Sequence, residues 1–190
     1  MSFIPAFEIG VWNVWIVIVY SLVLAFLPGM IFNRDNLKAP NPKSKTEKRY
    51  RLPWFMLYML TFIYSIFLPL QLGTIWFYIG LPICLLGLIP FTITAINYGR
   101  TSLCNEPATK GIYRYSRHPM YVSMFLMILG AGIAAASWVV ILFAVISMIL
   151  WVPLAISEEK FCLELYGDSY REYITRTPRW LGIPKAVKSN

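Results

Sequence analysis

An all-α polytopic membrane protein is the fold class the sequence predicts, and three observations carry that expectation. The 190 residues are 58% apolar and 14% charged with a mean hydropathy of +0.60, well below the roughly one-quarter charge of soluble domains. The charges are missing in blocks, with none in residues 11–33, 52–99 or 119–157. All 17 basic residues fall between or after those blocks.

Crossing a bilayer as a helix takes about 20 apolar residues, so the second and third blocks are each long enough for two crossings. "PLQLG" (Pro69 to Gly73) interrupts one and the small-residue stretch "GAGIAAAS" (Gly130 to Ser137) the other, and tight turns are expected there. A single membrane domain over residues 1–190 follows, with spans at about 11–33, 52–70, 74–97, 119–135 and 138–157. Each must be helical, because lipid offers backbone groups no partners. Asn13 and Asn97 suit hydrogen bonds between helices, Gly130 and Gly132 a turn or close packing, and Pro82 and Pro90 kinks within span three. The polar stretch Asn33 to Arg51, with its two prolines, reads as an irregular connection. Beyond Ser157, Phe161, Leu165, Tyr166, Tyr170, Tyr173 and Ile174 recur at helical spacing, which predicts an amphipathic helix broken near Gly167 and lying on the membrane face.

The three basic segments are residues 34–51, 100–117 and 160–188, and five spans place them on one side. The positive-inside rule then predicts the N-terminus outside and the C-terminus in the cytoplasm. The net charge of +8 is accounted for as a topology signal, so no nucleic-acid partner is expected. No basic residue stands in the first ten and no small-residue cleavage site ends the first apolar run, so span one is expected to stay. Cys84, Cys104 and Cys162 offer neither an oxidising-side pair nor metal-ligand spacing, and no metal is expected.

The chain's single histidine stands in "YRYSRHPMYVS" (Tyr113 to Ser123), at the start of span four. Spans four and five form a hairpin, which brings His118 and Pro119 beside Glu158 and Glu159. Proline opens a helix well, and the first-turn N–H groups behind it suit a carboxylate or phosphate. Two carboxylates at the rim of an apolar environment are costly without a partner. Interfacial anchoring by Arg117, Glu158 and an aromatic belt of Tyr113, Tyr115 and Tyr121 is the bland alternative. The cation, imidazole, phenol and acids together suit a polar ligand reached from the cytoplasm.

The order "GIYRYSRHPMY", a hairpin, "EEKFCLELYGDSYREY" and "TPRWLGIP", spread over about residues 97–184, resembles the isoprenylcysteine carboxyl methyltransferase family and its phospholipid methyltransferase relatives. The resemblance implies S-adenosylmethionine as cofactor between the inner ends of the last two spans. Gly111, Tyr113, His118, Pro119, Tyr121, Glu158 and Glu159 would hold it, with Arg117 and Glu158 as candidate catalytic residues. The membrane bilayer is the implied surrounding and a lipophilic or small molecule the methyl acceptor. "WVPLAIS" (Trp151 to Ser157) carries no basic residue, so a prenylcysteine carboxylate, a phospholipid amine and a thiol all stay open. Arg117, Arg176 and Arg179 are the cations that remain to hold an acidic acceptor. Membrane sterol reductases, which use NADPH, are similar at "RHPMY" and at Cys162 to Gly167, and a non-catalytic membrane protein is the third reading.

Overall fold

The computed structural model describes residues 1–4, 6–32, 45–101 and 106–185. Apart from two isolated β-bridges, regular structure among the described residues is helical. Its elements are α1 (Trp15–Phe32), α2 (Lys45–Ile66), α3 (Ile75–Arg100), a 3₁₀ turn (Gly111–Arg114), α4 (Pro119–Ala134), α5 (Trp138–Tyr166) and α6 (Asp168–Arg176). α1, α3 and α5 are long and apolar enough to cross a membrane; α4 is apolar but has 16 residues, and α2 is apolar from Leu52 onward. The molecule is an all-α integral membrane protein.

Two sequence expectations need correction. The connection expected to be irregular up to Arg51 is helical from Lys45, and residues 33–44 lie outside the described set. Lys45, Glu47, Lys48 and Arg51 are straight-chain helix formers, and Glu47 pairs with Arg51 one turn on. The turn expected within Gly130 to Ser137 falls at its end: α4 runs through both glycines to Ala134, and Ala136 takes the positive φ of 50°. The turn before α3 sits as expected, with Gly73 at φ 78°. Pro82 and Pro90 both lie inside a continuous α3.

The bundle has two unlike ends. At one, the backbone knits the turns together: the Ser2 N–H donates to the Ala136 carbonyl (2.8 Å), Leu70 to Trp12 (2.9 Å) and Gln71 to Ala134 (2.9 Å). The Asn13 amide joins the same end, donating to the carbonyls of Glu8 (2.6 Å) and Ile66 (2.7 Å). At the other end lie the start of α2, the end of α3, the 3₁₀ turn, the start of α4 and the last two turns of α5. The described basic residues all belong to this charged end, and there Arg100 covers the Phe32 ring at 4.7 Å.

α3 and α4 make the most extensive helix pair. Gly80 and Gly87 on α3 and Gly130 on α4 form its seam; a Cβ on Gly80 would strike the Ala134 backbone, on Gly87 that of Met127, and on Gly130 that of Cys84. Lipid is as apolar as leucine, so helices gain by close van der Waals approach, and small residues permit it. Ile18, Tyr58, Met127, Ile128, Val140 and Phe143 fill the space between α1, α2, α4 and α5.

Candidate active site

His118 caps the N-terminus of α4 through its backbone, with φ −125° and no capping bond from its side chain, so the imidazole is free to point across the hairpin. Pro119 follows at the first helical position, where its missing N–H costs nothing. The imidazole Nε2 lies 3.1 Å from Glu159 Oε1, and Nδ1 lies 3.5 Å from Glu158 Oε2. Tyr121, one turn into α4, donates its hydroxyl to Glu158 Oε1 at 2.6 Å. The hairpin therefore brings His118, Tyr121, Glu158 and Glu159 together as the sequence predicted.

The two acids have opposite surroundings. Neighbours on a helix point about 100° apart, so Glu159 turns inward where Glu158 turns to an opening. Only 7% of the Glu159 side chain is exposed, against 33% for Glu158. Arg179 donates to Glu159 twice, Nε to Oε1 at 3.0 Å and Nη2 to Oε2 at 2.9 Å, the planar fork that suits a carboxylate. Arg117 places Nε 3.1 Å from the same Oε1, an ion pair outside hydrogen-bond angles, while its Nη1 donates to the Ile174 carbonyl at 3.4 Å. Burial by itself would raise the Glu159 pKa; bonds from His118 and Arg179 and the charge of Arg117 outweigh it and hold the carboxyl at about 2. For His118, burial favours the neutral ring, but the two glutamates prevail and raise its pKa above 6.5.

Residues 177–185 form a strap across the start of α4. The N–H groups of Arg117 and His118 donate to the carbonyls of Pro178 (3.0 Å) and Arg179 (3.2 Å), and Gly182 donates back to Tyr115 (3.0 Å). Trp180 on this strap meets the His118 ring at 5.9 Å between centroids. The imidazole stacks on Tyr121 (5.6 Å, 7°) and Tyr121 on Trp151 (5.1 Å, 9°), and Trp54 continues the column towards Tyr58. The network thus rests on an aromatic wall running into the apolar interior, beside a partly open cavity of about 600 Å³ between α2 and the α4–α5 hairpin.

Tyr113 and Gly111 stand apart from this network. Tyr113 is buried with Tyr170 and Tyr173 against Cys162 and Tyr166, and its carbonyl accepts from the Tyr173 hydroxyl at 2.7 Å. Burial raises the Tyr113, Tyr170 and Tyr173 pKa values and pushes the Cys162 thiol up to about 12, leaving these groups neutral. The face of α6 carrying Tyr170 and Tyr173 docks here, while its other residues are largely exposed. Gly111 has φ 65°, and a Cβ there would strike the Asn97 amide, so it sets the path of the chain towards His118. Trp180 and Trp151 are not among the residues that the sequence marks, and Arg179 is marked there only as a cation for an acidic acceptor, not as the partner of Glu159; Trp151 hides inside an apolar span. Among the described residues, no group of three His, Cys, Asp or Glu is placed to hold a metal ion.

Comparison with known families places the chain. The model of the family described as "Phospholipid methyltransferase" matches residues 68–169, more than half of the chain. The chain belongs to this family. A relative from Schizosaccharomyces pombe, named "Protein-S-isoprenylcysteine O-methyltransferase", is 37% identical over 79 residues, which cover 40% of this chain and 32% of that protein. The chain thus matches about a third of the length of that curated relative. The match takes in α3, α4 and α5 with His118, Glu158 and Glu159.

Proposed function

We propose that the protein is an S-adenosylmethionine-dependent methyltransferase acting on a lipid-soluble acceptor at the cytoplasmic face of a membrane that the chain crosses five times. The charged end would face the cytoplasm, as the positive-inside rule requires of basic connections, with α6 along the interface. The observation that carries the reading is Glu158: a carboxylate held by Tyr121 and His118, one-third exposed, beside an apolar cavity. The residues present fit the cofactor. Glu158 offers acceptor oxygens to amino or hydroxyl groups and balances positive charge, and the start of α4 suits a carboxylate. Bound there, S-adenosylmethionine supplies a methyl group on a cationic sulfur for in-line transfer to a nucleophile, the carbon–sulfur bonding electrons staying on sulfur.

The chain's own part is positioning and exclusion of water. His118 and Tyr121 fix Glu158, and Glu159 is the anchor by which Arg179 and Arg117 close the strap over the start of α4. Arg117 is accordingly a positioning residue and Glu158 the group that meets the cofactor. The N-terminus would lie outside the cell, at the end where Ser2 caps the α4–α5 turn.

The test is tritiated methyl transfer from S-adenosylmethionine into a lipid extract by the purified full chain, with cofactor binding followed by calorimetry. Glu158→Gln is expected to raise the cofactor dissociation constant about tenfold or more, since a charge-assisted hydrogen bond is worth roughly 1.5–3 kcal/mol and each 1.4 kcal/mol is a decade. Its melting temperature should stay within a few degrees of wild type, because this carboxylate is partly solvated. NADPH oxidation without methyl incorporation would overturn the reading.

A further inference from the structure

The cavity beside Glu158 has two walls of different character. The hairpin contributes Tyr121, Trp151 and Glu158, while α2 contributes Lys48 and Arg51 at the mouth and Leu52 and Phe55 below them. Positions 48, 51, 52 and 55 are spaced by three, four and seven, so they share one face of α2. Down that face two cations give way to two exposed apolar side chains, the profile of an ionic head above a hydrocarbon tail. Lys48 and Arg51 are exposed, and Arg51 also pairs with the buried Glu47 on its own helix. Trp54, on the same stretch of α2, lines the cavity with an indole N–H that is buried and finds no partner among the described residues. A solvated charge run needs neither an apolar floor nor an unpaired donor.

We propose that Lys48 and Arg51 are the specificity-determining residues for the methyl acceptor: they hold an anionic head group, carboxylate or phosphate, of a single-tailed amphiphile whose tail lies along Leu52, Phe55 and Trp151 between α2 and α5. The inference rests on the methyltransferase reading of the neighbouring Glu158 site and names the acceptor's charge and route. Arg51 is offset in part by Glu47 and the hairpin's acid is engaged by Tyr121 and His118, so the charge left to match at the mouth is that of Lys48, and it is positive. Bidentate pairing suits the Arg51 fork to either oxyanion. An acceptor held there keeps its nucleophilic end at the charged end of the bundle and its tail at the depth of the lipid.

Binding can be read without turnover. Bromine quenches tryptophans that it touches, and Trp54 and Trp151 line this cavity. Full-length protein in neutral detergent would be titrated with 9,10-dibromostearate and with the corresponding uncharged alcohol. The carboxylate is expected to quench at about tenfold lower concentration than the alcohol, and Trp54→Phe to reduce the quenched fraction. In Lys48→Gln/Arg51→Gln the two titrations should coincide through loss of the carboxylate's advantage alone. Glu47→Gln/Lys48→Gln/Arg51→Gln, which leaves no buried acid without its partner, should behave likewise. A brominated lysophosphatidic acid against its monoacylglycerol forms the second pair, and the larger preference identifies the head as phosphate or carboxylate. Equal quenching by charged and neutral probes in wild type, or a preference that survives in the variants, would overturn the proposal. Charge preference in a protein that transfers no methyl would sink the methyltransferase reading and keep this site. Methyl transfer with an unchanged acceptor KM in Lys48→Gln/Arg51→Gln would do the reverse.

Discussion

The α3–α4 seam and the α2–α5 side of the bundle both join apolar stretches of helix, α2 from Leu52 onward, yet one is closed by backbone contact and the other holds a cavity. At the seam, Gly80, Gly87 and Gly130 leave no room for even a methyl group. On the α2–α5 side the facing residues are Trp54, Tyr58, Phe143 and Trp151, whose rings meet at centroid distances of 5.4 to 6.2 Å and prop the helices apart. Hydrophobicity does not distinguish the two regions; side-chain size does. In a solvent as apolar as the protein, helices close where backbones can touch and stay apart where rings intervene. The rigid pair positions His118 at the start of α4, and the propped pair leaves a cavity beside it.

The contrast can be broken most severely at the seam. Gly87→Leu is expected to cost about 3 kcal/mol or more, the upper range of overpacking, because rigid backbone and not a flexible side chain stands in the way. Loss of a monodisperse peak in detergent chromatography would show it, and an unchanged melting temperature would refute the seam. Next comes the ion cluster that ties the strap to α5. Glu159→Gln leaves Arg179 and Arg117 without a counter-charge; breaking a buried pair costs about 3–5 kcal/mol, which the exposure of Arg179 reduces to roughly 2–3 kcal/mol. Thermal melts and protease sensitivity beyond residue 176 would report it, in contrast to the stable Glu158→Gln.

A smaller effect follows from pH. The folded pKa of His118 is raised above 6.5, so its contribution is fully present below pH 6.5 and is lost as pH rises through the folded value. Glu159 is held at about 2 against an ordinary 4.5, so its contribution is present above 4.5 and is lost as pH falls towards 2. Melting temperature should therefore be highest between about pH 4.5 and 6.5 as far as these two groups govern it. His118→Gln should flatten the alkaline limb and only weaken the acid limb, because Arg179 and Arg117 still hold Glu159 low; an alkaline limb that persists would remove His118 from the linkage. The smallest change is expected on the propped side. Trp54→Phe removes an indole N–H that has no partner among the described residues and keeps an aromatic in place, so stability should shift by no more than about 0.5 kcal/mol.

The sequence made the charged end legible because polar residues in an apolar chain are few. His118, Tyr121, Glu158 and Glu159 were marked by the hairpin alone, and the structure joins all four. Gly167 was legible as a break, and it takes φ 58° between α5 and α6. Of the seam only Gly130 was legible, as a place of close packing; Gly80 and Gly87 are two small residues among many, and what makes them matter is the facing backbone of a helix some 45 residues later. The same limit hid the pairing of Arg179, whose partner Glu159 lies 20 residues back and reaches it only because the strap folds over. Cations at the start of α2 read as a topology signal until Lys48 and Arg51 appeared at the mouth of a cavity.

The paired hydrogen bonds from Arg179 to Glu159 also fix an order of events during synthesis. Glu159 is translated and threaded with α5 before its partner exists, so a nascent chain holds this acid in a nearly dry position without its counter-ion. The apolar segments can be delivered to the membrane in that interval, but the charged end cannot be latched until residues 177–180 have left the ribosome. Insertion and latching are therefore separated in time by the tail, and a ribosome stalled just after α6 would display a threaded but unlatched protein.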